Sequence, residues 1–152
     1  GRIAIEKNID AFLALDLPGS KVVIGEGPQE AALRTRFPSA HFLGLKVGAD
    51  LASHIAAADV FVFPSLTDTF GIVQLEALAC GVPVAAFPVT GPRDIIADRP
   101  VGVLHNDLRA DARLAMRLIL QQHGALPTEP ARPVPIQVIT PYNAPIRFPY
   151  ER

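Results

Sequence analysis

The sequence predicts an α/β protein built on a doubly wound parallel sheet. Short apolar runs alternate along the chain with segments of helical periodicity, and brief turns separate them. The strand-like runs are apolar throughout, which is typical of strands that helices cover on both faces. The length of 152 residues and the 49% share of apolar residues suit one globular domain with a substantial core.

The amino-terminal part of the chain opens with a segment of helical pattern, "EKNIDAFLAL". The β-branched run "KVVIGEG" then ends in glycines, as a buried strand does, and Pro28 suits the first position of the next helix. The run "VFVFPS" predicts a strongly apolar strand. In chain order, the predicted elements are a helix at 6–15, a strand at 21–27, a helix at 28–37, a strand at 40–45, a helix at 49–59 and a strand at 60–65.

The carboxyl-terminal part continues the alternation and then changes in composition. The predicted elements are a helix at 70–80, a strand at 82–89, a helix at 92–98, a strand at 102–104 and a helix at 107–122. Beyond residue 123 the chain is dense in proline, which is excluded from helix interiors and central strands. We therefore expect a domain at 1–123 and a Pro-rich tail at 124–152, either extended or disordered or forming an arm that packs on a partner.

Composition excludes several classes of function. The net charge of −1 gives no broad basic surface for nucleic acid or an anionic membrane. The single cysteine, Cys80, excludes an internal disulfide framework and fits a reducing compartment. No apolar run approaches the length of about 20 residues that a membrane span needs, and the start has no signal-peptide pattern. We expect a cytoplasmic protein without a nucleic-acid partner.

Ligands of a doubly wound sheet bind beyond the carboxyl ends of its strands. Those ends are predicted at Gly25–Pro28, Gly44–Lys46, Pro64–Phe70 and Pro88–Arg93. The Phe70-Gly71 turn opens a helix, whose amino end carries free N–H groups and partial positive charge that favour phosphate. The alternative interpretation is that Asp68 or Thr69 caps this helix and that Gly71 only permits tight packing.

Glu76 is a carboxylate among apolar residues on the helix at 70–80. Burial of an unpaired carboxylate is costly, so it needs a structural partner such as Arg2 or Lys7, or a ligand rich in hydroxyls. Asp68 lies eight positions before Glu76, at the end of the loop, and the helix from its start to Glu76 spans roughly 9 Å. Two acids at this separation, with phosphate-binding backbone between them, suit an elongated ligand of sugar, diphosphate and ribose. Arg2 and Lys7 could neutralise the diphosphate, or they could be ordinary surface cations.

Other chemistries fit less well. The segment "GEGPQE" has Glu30 where a dinucleotide fingerprint needs its third glycine, and there is no phosphate-loop Lys-Ser/Thr pair. The four histidines lack metal-ligand spacing: His41, His54, His105 and His123. Cys80 is interpreted as a small helix residue beside Gly81. We expect no metal and no cofactor.

The segments "GRIAIEKN", "GEGP", "FLG", "AAADVFVFPS", "TDTFGIVQLEALACGVPVAA" and "GPRDII" occur in this order over about residues 1–120. In this combination the chain resembles the carboxy-terminal domain of family-four glycosyltransferases. The resemblance implies the Rossmann-like carboxyl-terminal half of a GT-B fold, a strand before Gly1, and a retaining, metal-independent hexosyltransferase whose donor substrate is a nucleoside-diphosphate sugar. It also implies an amino-terminal acceptor domain and peripheral membrane association of the full enzyme, at the inner face.

The resemblance implies roles for the matching residues. Arg2 and Lys7 would hold the diphosphate and stabilise the leaving group, Asp68 would contact the transferred sugar, and Glu76 would bind the ribose hydroxyls. The remaining donor-binding positions are the backbone amides of Thr69, Phe70 and Gly71, the nucleobase contacts Leu45 and Lys46, and Gly25 and Gly27, which would line the cleft.

Three features depart from the family pattern. Asp68 is one methylene shorter than the usual Glu, the amino-terminal domain is absent, and the tail does not resemble the family's final helices. We therefore expect the chain alone to be inactive. Two alternatives are kept: a non-catalytic module or fragment that binds a nucleotide sugar, and a nucleotide-sugar epimerase of the same fold.

Overall fold

The computed structural model describes residues 1–17 and 19–107 and the backbone of residues 135–139. The helix predicted at 107–122 lies, apart from its first residue, outside this part of the chain. None of the described helices is long and apolar enough to cross a membrane.

The described strands form one parallel sheet in the order β2-β1-β6-β3-β4-β5. The strands are β1 (Ser20–Ile24), β2 (His41–Phe42), β3 (Val60–Phe63), β4 (Val84–Ala86), β5 (Gly102–Leu104) and β6 (Pro135–Ile139). The helices are a short 3₁₀ helix (Ile5–Lys7), α1 (Ile9–Leu13), α2 (Glu30–Arg36), α3 (Gly48–Ala56), α4 (Ile72–Ala79) and α5 (Thr90–Ile96). The predicted parallel α/β architecture is confirmed.

Two apolar clusters cover the two faces of the sheet. Along β3, Val60 and Val62 belong to one cluster, with Phe12 of α1, whereas Phe61 and Phe63 belong to the other. Successive side chains of a strand point to opposite faces, so a strand that is buried on both sides is apolar at every position. All four residues of β3 are at most 1% exposed. This double burial explains the unbroken apolar runs of the sequence.

The observed elements are shorter than predicted at several ends. The helix predicted at 6–15 is divided at Asn8, whose φ of 53° is left-handed. Helix α2 begins at Glu30, so Pro28 lies in the turn ahead of it and not at its first position. These corrections concern backbone geometry at element ends, where pattern is a weak guide.

The strand β6 lies in the interior of the sheet, between β1 and β3. It pairs with β1 over five residues, from Ser20↔Pro135 to Ile24↔Ile139, and with β3 at Val60↔Ile136 and Phe61↔Gln137. A regular strand at Pro135–Ile139 differs from the irregular tail that we predicted for residues 124–152. Proline is tolerated at the first residue of a strand, and the residues that follow Pro135 within β6 contain none. A high overall density of proline therefore did not exclude a proline-free strand within that region.

Candidate functional site

The first residues of the chain lie against the carboxyl end of β1. The amide of Glu26 donates to the Gly1 carbonyl at 3.0 Å, and the Ile3 amide donates to the Glu26 carbonyl at 2.8 Å. A Cβ on Gly25 would overlap the backbone of Gly1, and one on Gly27 would overlap the backbone of Ile3. Gly25 and Gly27, predicted to line the cleft, thus allow the amino-terminal segment to approach this edge of the sheet.

Lys7 and Asp68 form a close ion pair at the same edge. The Lys7 Nζ donates to the Asp68 Oδ1 at 2.6 Å, and the two side chains are only 12% and 17% exposed. The second carboxylate oxygen, Oδ2, is buried and accepts no hydrogen bond from the described residues. Oδ2 thus keeps its acceptor capacity unfilled while Oδ1 holds Lys7, and a rotation of the carboxylate would be needed to bring it to a bound hydroxyl.

Two further bonds fix the segment that carries Lys7 to the loop after β3. The side-chain amide of Asn8 donates to the Pro64 carbonyl at 3.2 Å, and the Ser65 hydroxyl donates to the Glu6 carbonyl at 3.4 Å. Asparagine tolerates the left-handed conformation that residue 8 adopts better than most residues do. The role of Asn8 was not predicted, and the only signal in the sequence is an asparagine near the start of a helical pattern.

The Phe70-Gly71 turn leads directly from that loop into α4. Gly71 is the residue that caps α4, with φ of 72°, and no side chain caps this helix. The alternative in which Asp68 or Thr69 caps the helix is therefore wrong, since Asp68 is held by Lys7 instead. Helix α4 begins at Ile72 and not at residue 70 as predicted. The Gln74 amide donates to the Gly71 carbonyl at 2.9 Å, so the amides of Ile72 and Val73 are the first-turn donors that helix geometry leaves without an intrahelical acceptor.

Glu76 is half-buried on α4. Burial raises the pKa of its carboxyl group. Within the described residues neither Lys7 nor Arg2 pairs with Glu76, so it is not locked in an internal ion pair.

The other predicted residues lie at strand ends of this edge but make separate contacts. Arg2 pairs loosely with Glu6 at 3.8 Å, and its side chain is 67% exposed. Lys46 pairs with Asp50 of α3 at 3.2 Å. Leu45 is exposed, and its loop is held beside β1 by a 2.8 Å bond from the Gly25 amide to the Gly44 carbonyl. The contacts of the described residues bring Lys7 to Asp68, but they do not bring Arg2 or Lys46 to that pair.

Apolar side chains are also exposed around the ion pair. Ile5, Leu66 and Phe70 precede or follow residues of the pair and are 78%, 53% and 51% exposed. Sequence analysis did not predict this exposure, because the same residues would have served equally well in a core. Exposed apolar groups around polar residues are typical of surfaces that contact a ligand or another protein surface.

A family model described as glycosyl transferases group 1 matches residues 5–121. The chain belongs to this family. The GDP-mannose-dependent alpha-mannosyltransferase of Mycobacterium tuberculosis is 41% identical over 106 residues, which are 68% of this chain and 28% of that protein. The sulfoquinovosyl transferase SQD2 of Arabidopsis thaliana is 37% identical over 107 residues, 67% of this chain and 21% of that protein. The chain thus spans about a quarter of the length of these relatives.

Two solved structures of other proteins share the fold. WaaG, a glycosyltransferase of lipopolysaccharide biosynthesis, has a TM-score of 0.61 at 26% identity, over 80% of this chain and 37% of that one. Anabaena Alr3699/HepE in complex with UDP has a TM-score of 0.63 at 21% identity, over 82% and 38% of the two chains. The Rossmann-like fold of the GT-B glycosyltransferases, and the predicted family resemblance, are confirmed.

Proposed function

We propose that this chain is the donor-binding domain of a retaining glycosyltransferase, which transfers a hexose from a nucleoside-diphosphate sugar to a lipid or saccharide acceptor. The observation that carries the proposal is the buried Lys7–Asp68 pair, which stands beside the Phe70-Gly71 turn at the ligand-binding edge of the sheet. Relatives named for GDP-mannose and a structural neighbour in complex with UDP-glucose support a nucleotide sugar as the ligand.

The charges at this edge suit the two ends of such a donor. The ammonium group of Lys7 can contact the diphosphate without leaving Asp68, since it has three donors. A rotation of the Asp68 carboxylate would present its second oxygen, which is buried and has no donor among the described residues, to a sugar hydroxyl. Glu76, further along α4 and free of an ion pair within the described residues, is an acceptor for the vicinal hydroxyls of the ribose. Each of these three assignments is compatible with the contacts that the residue already makes within the protein.

Departure of the nucleoside diphosphate leaves negative charge on the outer phosphate. Lys7, the exposed guanidinium of Arg2 and the amino end of α4 can stabilise that charge as it develops. In this proposal the positive charge comes from the protein itself. Groups that are already oriented need little rearrangement as the bond breaks, and the ion pair with Asp68 orients Lys7 in advance.

The acceptor must be positioned by parts of the protein beyond the described residues. Because the chain spans only a part of the length of its relatives, we propose that an acceptor domain completes the site. The exposed apolar side chains of Ile5, Leu66 and Phe70 suit contact with that domain. A membrane-associated full enzyme and catalysis only in the two-domain form belong to the same proposal.

A binding experiment tests the donor site. Calorimetry of the chain with GDP, UDP, GDP-mannose and UDP-glucose should detect at least one ligand. Lys7→Met and Asp68→Asn should weaken that binding about tenfold, which corresponds to the loss of roughly 1.4 kcal/mol. Arg36→Met and Asp10→Asn are matched controls, since these residues form an exposed pair at 3.8 Å outside the proposed site. Equal losses in both pairs, or no binding at all, would refute the proposal.

A second candidate is a module that binds the nucleotide sugar without catalysis. The short coverage of the relatives favours it for the isolated chain. Incubation of the chain with a bound donor and sugar or lipid acceptors should give no transfer product. Robust turnover by the isolated chain would eliminate this candidate and the need for an acceptor domain.

A further inference from the structure

Gln74 is a fully buried polar residue on the inner face of α4. Its neighbours along the helix, Val73 and Ala77, belong to the apolar cluster that packs on this face of the sheet. A side-chain amide in such surroundings loses its hydrogen bonds to water and must find partners within the protein. Its contacts therefore decide whether it belongs to the core or to the site.

The Gln74 amide reaches back to the turn that begins α4. Its Nε2 donates to the Phe70 carbonyl at 3.3 Å. Its Oε1 is buried and accepts no hydrogen bond from the described residues. One long hydrogen bond does not satisfy a buried amide, which can form four. An apolar side chain of similar length would fill this position more favourably, so core stability does not explain Gln74.

Gly91 approaches the same peptide from helix α5. It is buried, and a Cβ at this position would lie 2.7 Å from the Phe70 carbonyl oxygen and 2.9 Å from its carbonyl carbon and Cα. Any larger residue must push the Phe70 backbone away. The peptide of Phe70 is thus bonded by Gln74 and closely approached by Gly91.

We propose that Gln74 and Gly91 are positioning residues that fix the Phe70-Gly71 peptides for the donor. The inference rests on the proposed function, because the turn is where the amides of Phe70 and Gly71 would meet the sugar and phosphate. Gly71 is part of the same arrangement, since a Cβ there would lie 2.6 Å from the Gln74 Nε2. The helix therefore combines an apolar packing face with one polar group directed at the backbone of the turn.

Gln74→Met removes the donor and keeps nearly the same length of side chain. The variant should unfold at the same or a higher temperature, because it no longer buries an unsatisfied oxygen. Its affinity for GDP or UDP, whichever the wild type binds, should nevertheless fall about threefold to tenfold. Amide hydrogen exchange at Phe70, Gly71 and Ile72 should become faster, while exchange in the β3 strand stays unchanged.

Two further variants complete the test. Gly91→Ala should weaken nucleotide binding by displacing Phe70, even if Gln74 is intact. Thr35→Val is the matched control, because its hydroxyl makes a comparable 3.0 Å bond to a carbonyl four residues earlier, on the exposed side of α2. It should change neither the binding nor the exchange at the turn.

The outcomes separate this inference from the function on which it rests. Wild-type binding with no change in affinity or exchange for Gln74→Met would overturn the positioning role and leave the donor site intact. A Gln74→Met variant that loses binding only through a large drop in unfolding temperature would also overturn it. Failure of the wild-type chain to bind any nucleotide would overturn both.

Discussion

Asn8 combines two properties at one residue of the site. It adopts a left-handed conformation, and its side chain bonds to the Pro64 carbonyl. These two properties place the neighbouring Lys7 against Asp68. The chemistry of the candidate site therefore depends on a residue that carries no charge and that is not predicted to touch the ligand.

Substitutions at Asn8 can separate the two properties. Asn8→Ala loses the side-chain bond and strains the backbone, so we expect a loss of about 2 kcal/mol of unfolding free energy. Asn8→Gly loses the bond but accepts the conformation, so its loss should be smaller, about 1 kcal/mol. Urea denaturation measures both. Equal losses would show that the left-handed backbone contributes nothing to stability.

Glu76 should make stability depend on pH. Burial raises the pKa of its carboxyl group in the folded state above the ordinary value of 4.5, so the folded protein binds the proton more tightly than the unfolded chain does. The free energy of unfolding should therefore fall as pH rises from the ordinary pKa through the raised one. The destabilisation caused by burying the charged carboxylate is absent below that pH window and is complete above it.

Glu76→Gln provides the comparison. The variant lacks this titration, so its stability advantage over the wild type should widen as pH rises through that window, and urea midpoints at several pH values would measure it. Its nucleotide binding should weaken, since the carboxylate that we propose as the acceptor for the ribose hydroxyls is lost. A constant difference between the two proteins across pH would contradict the assignment of the shift to Glu76.

At the scale of elements, the sequence predicted the order of strands and helices better than their ends. The unbroken apolar run at Val60–Phe63 predicted a strand correctly because both faces of that strand are buried. The break in the first helix at Asn8 was not predictable, since contacts with the distant loop after β3 fix it. The pairing of β6 depends on residues far away in sequence, and local pattern carries no information about such partners.

The candidate site was predictable in its location and less so in its contacts. Asp68 lies at a predicted strand end, and the family resemblance implied that Lys7 belongs to the same donor site, so both were expected at this edge. Their direct pairing, the role of Asn8 and the buried amide of Gln74 required coordinates. Those contacts join residues whose spacing in the sequence follows no period.

Lys21 stabilises the end of an element. Its ammonium group donates to the carbonyls of Leu13, at 2.6 Å, and Leu15, so it satisfies groups that the end of α1 leaves unpaired. Lys21→Met should lower the free energy of unfolding by about 1–3 kcal/mol, since those carbonyls lose their donor.

The control for Lys21 is Lys46, which pairs with an exposed carboxylate instead of with backbone carbonyls. Lys46→Met removes the pair with the exposed Asp50 and should cost less than about 1 kcal/mol. Chemical denaturation of both variants makes the comparison. A loss at Lys46 as large as that at Lys21 would contradict the capping role of Lys21.

At the scale of the whole molecule, β6 joins the two halves of the sheet. Strands β2 and β1 lie on one side of it, and β3, β4 and β5 lie on the other. Gln137 pairs with Val22 of β1 and with Phe61 of β3, so it is central to this junction. A break at this point would leave two strands with unpaired edges, and such edges promote aggregation.

Gln137→Pro tests the junction. Proline has no N–H and would remove a ladder bond, so we expect a loss of about 3 kcal/mol or more, a broadened unfolding transition and aggregation. Pro135→Ala is the matched control at the first residue of the strand and should behave as the wild type does. Size-exclusion chromatography and thermal unfolding would measure both. Wild-type behaviour of Gln137→Pro would contradict the placement of β6 in the sheet.

The pairing of β6 also sets the order in which the molecule can be completed. Ile24 and its partner Ile139 are far apart in the sequence, so β1 can pair with β6 only after a very large loop has closed. During synthesis, the strands on either side must wait until residues 135–139 have left the ribosome. Until then β1 and β3 lack the strand that joins them beneath the candidate site, and a nascent chain would acquire the proposed affinity for a donor only after β6 has paired.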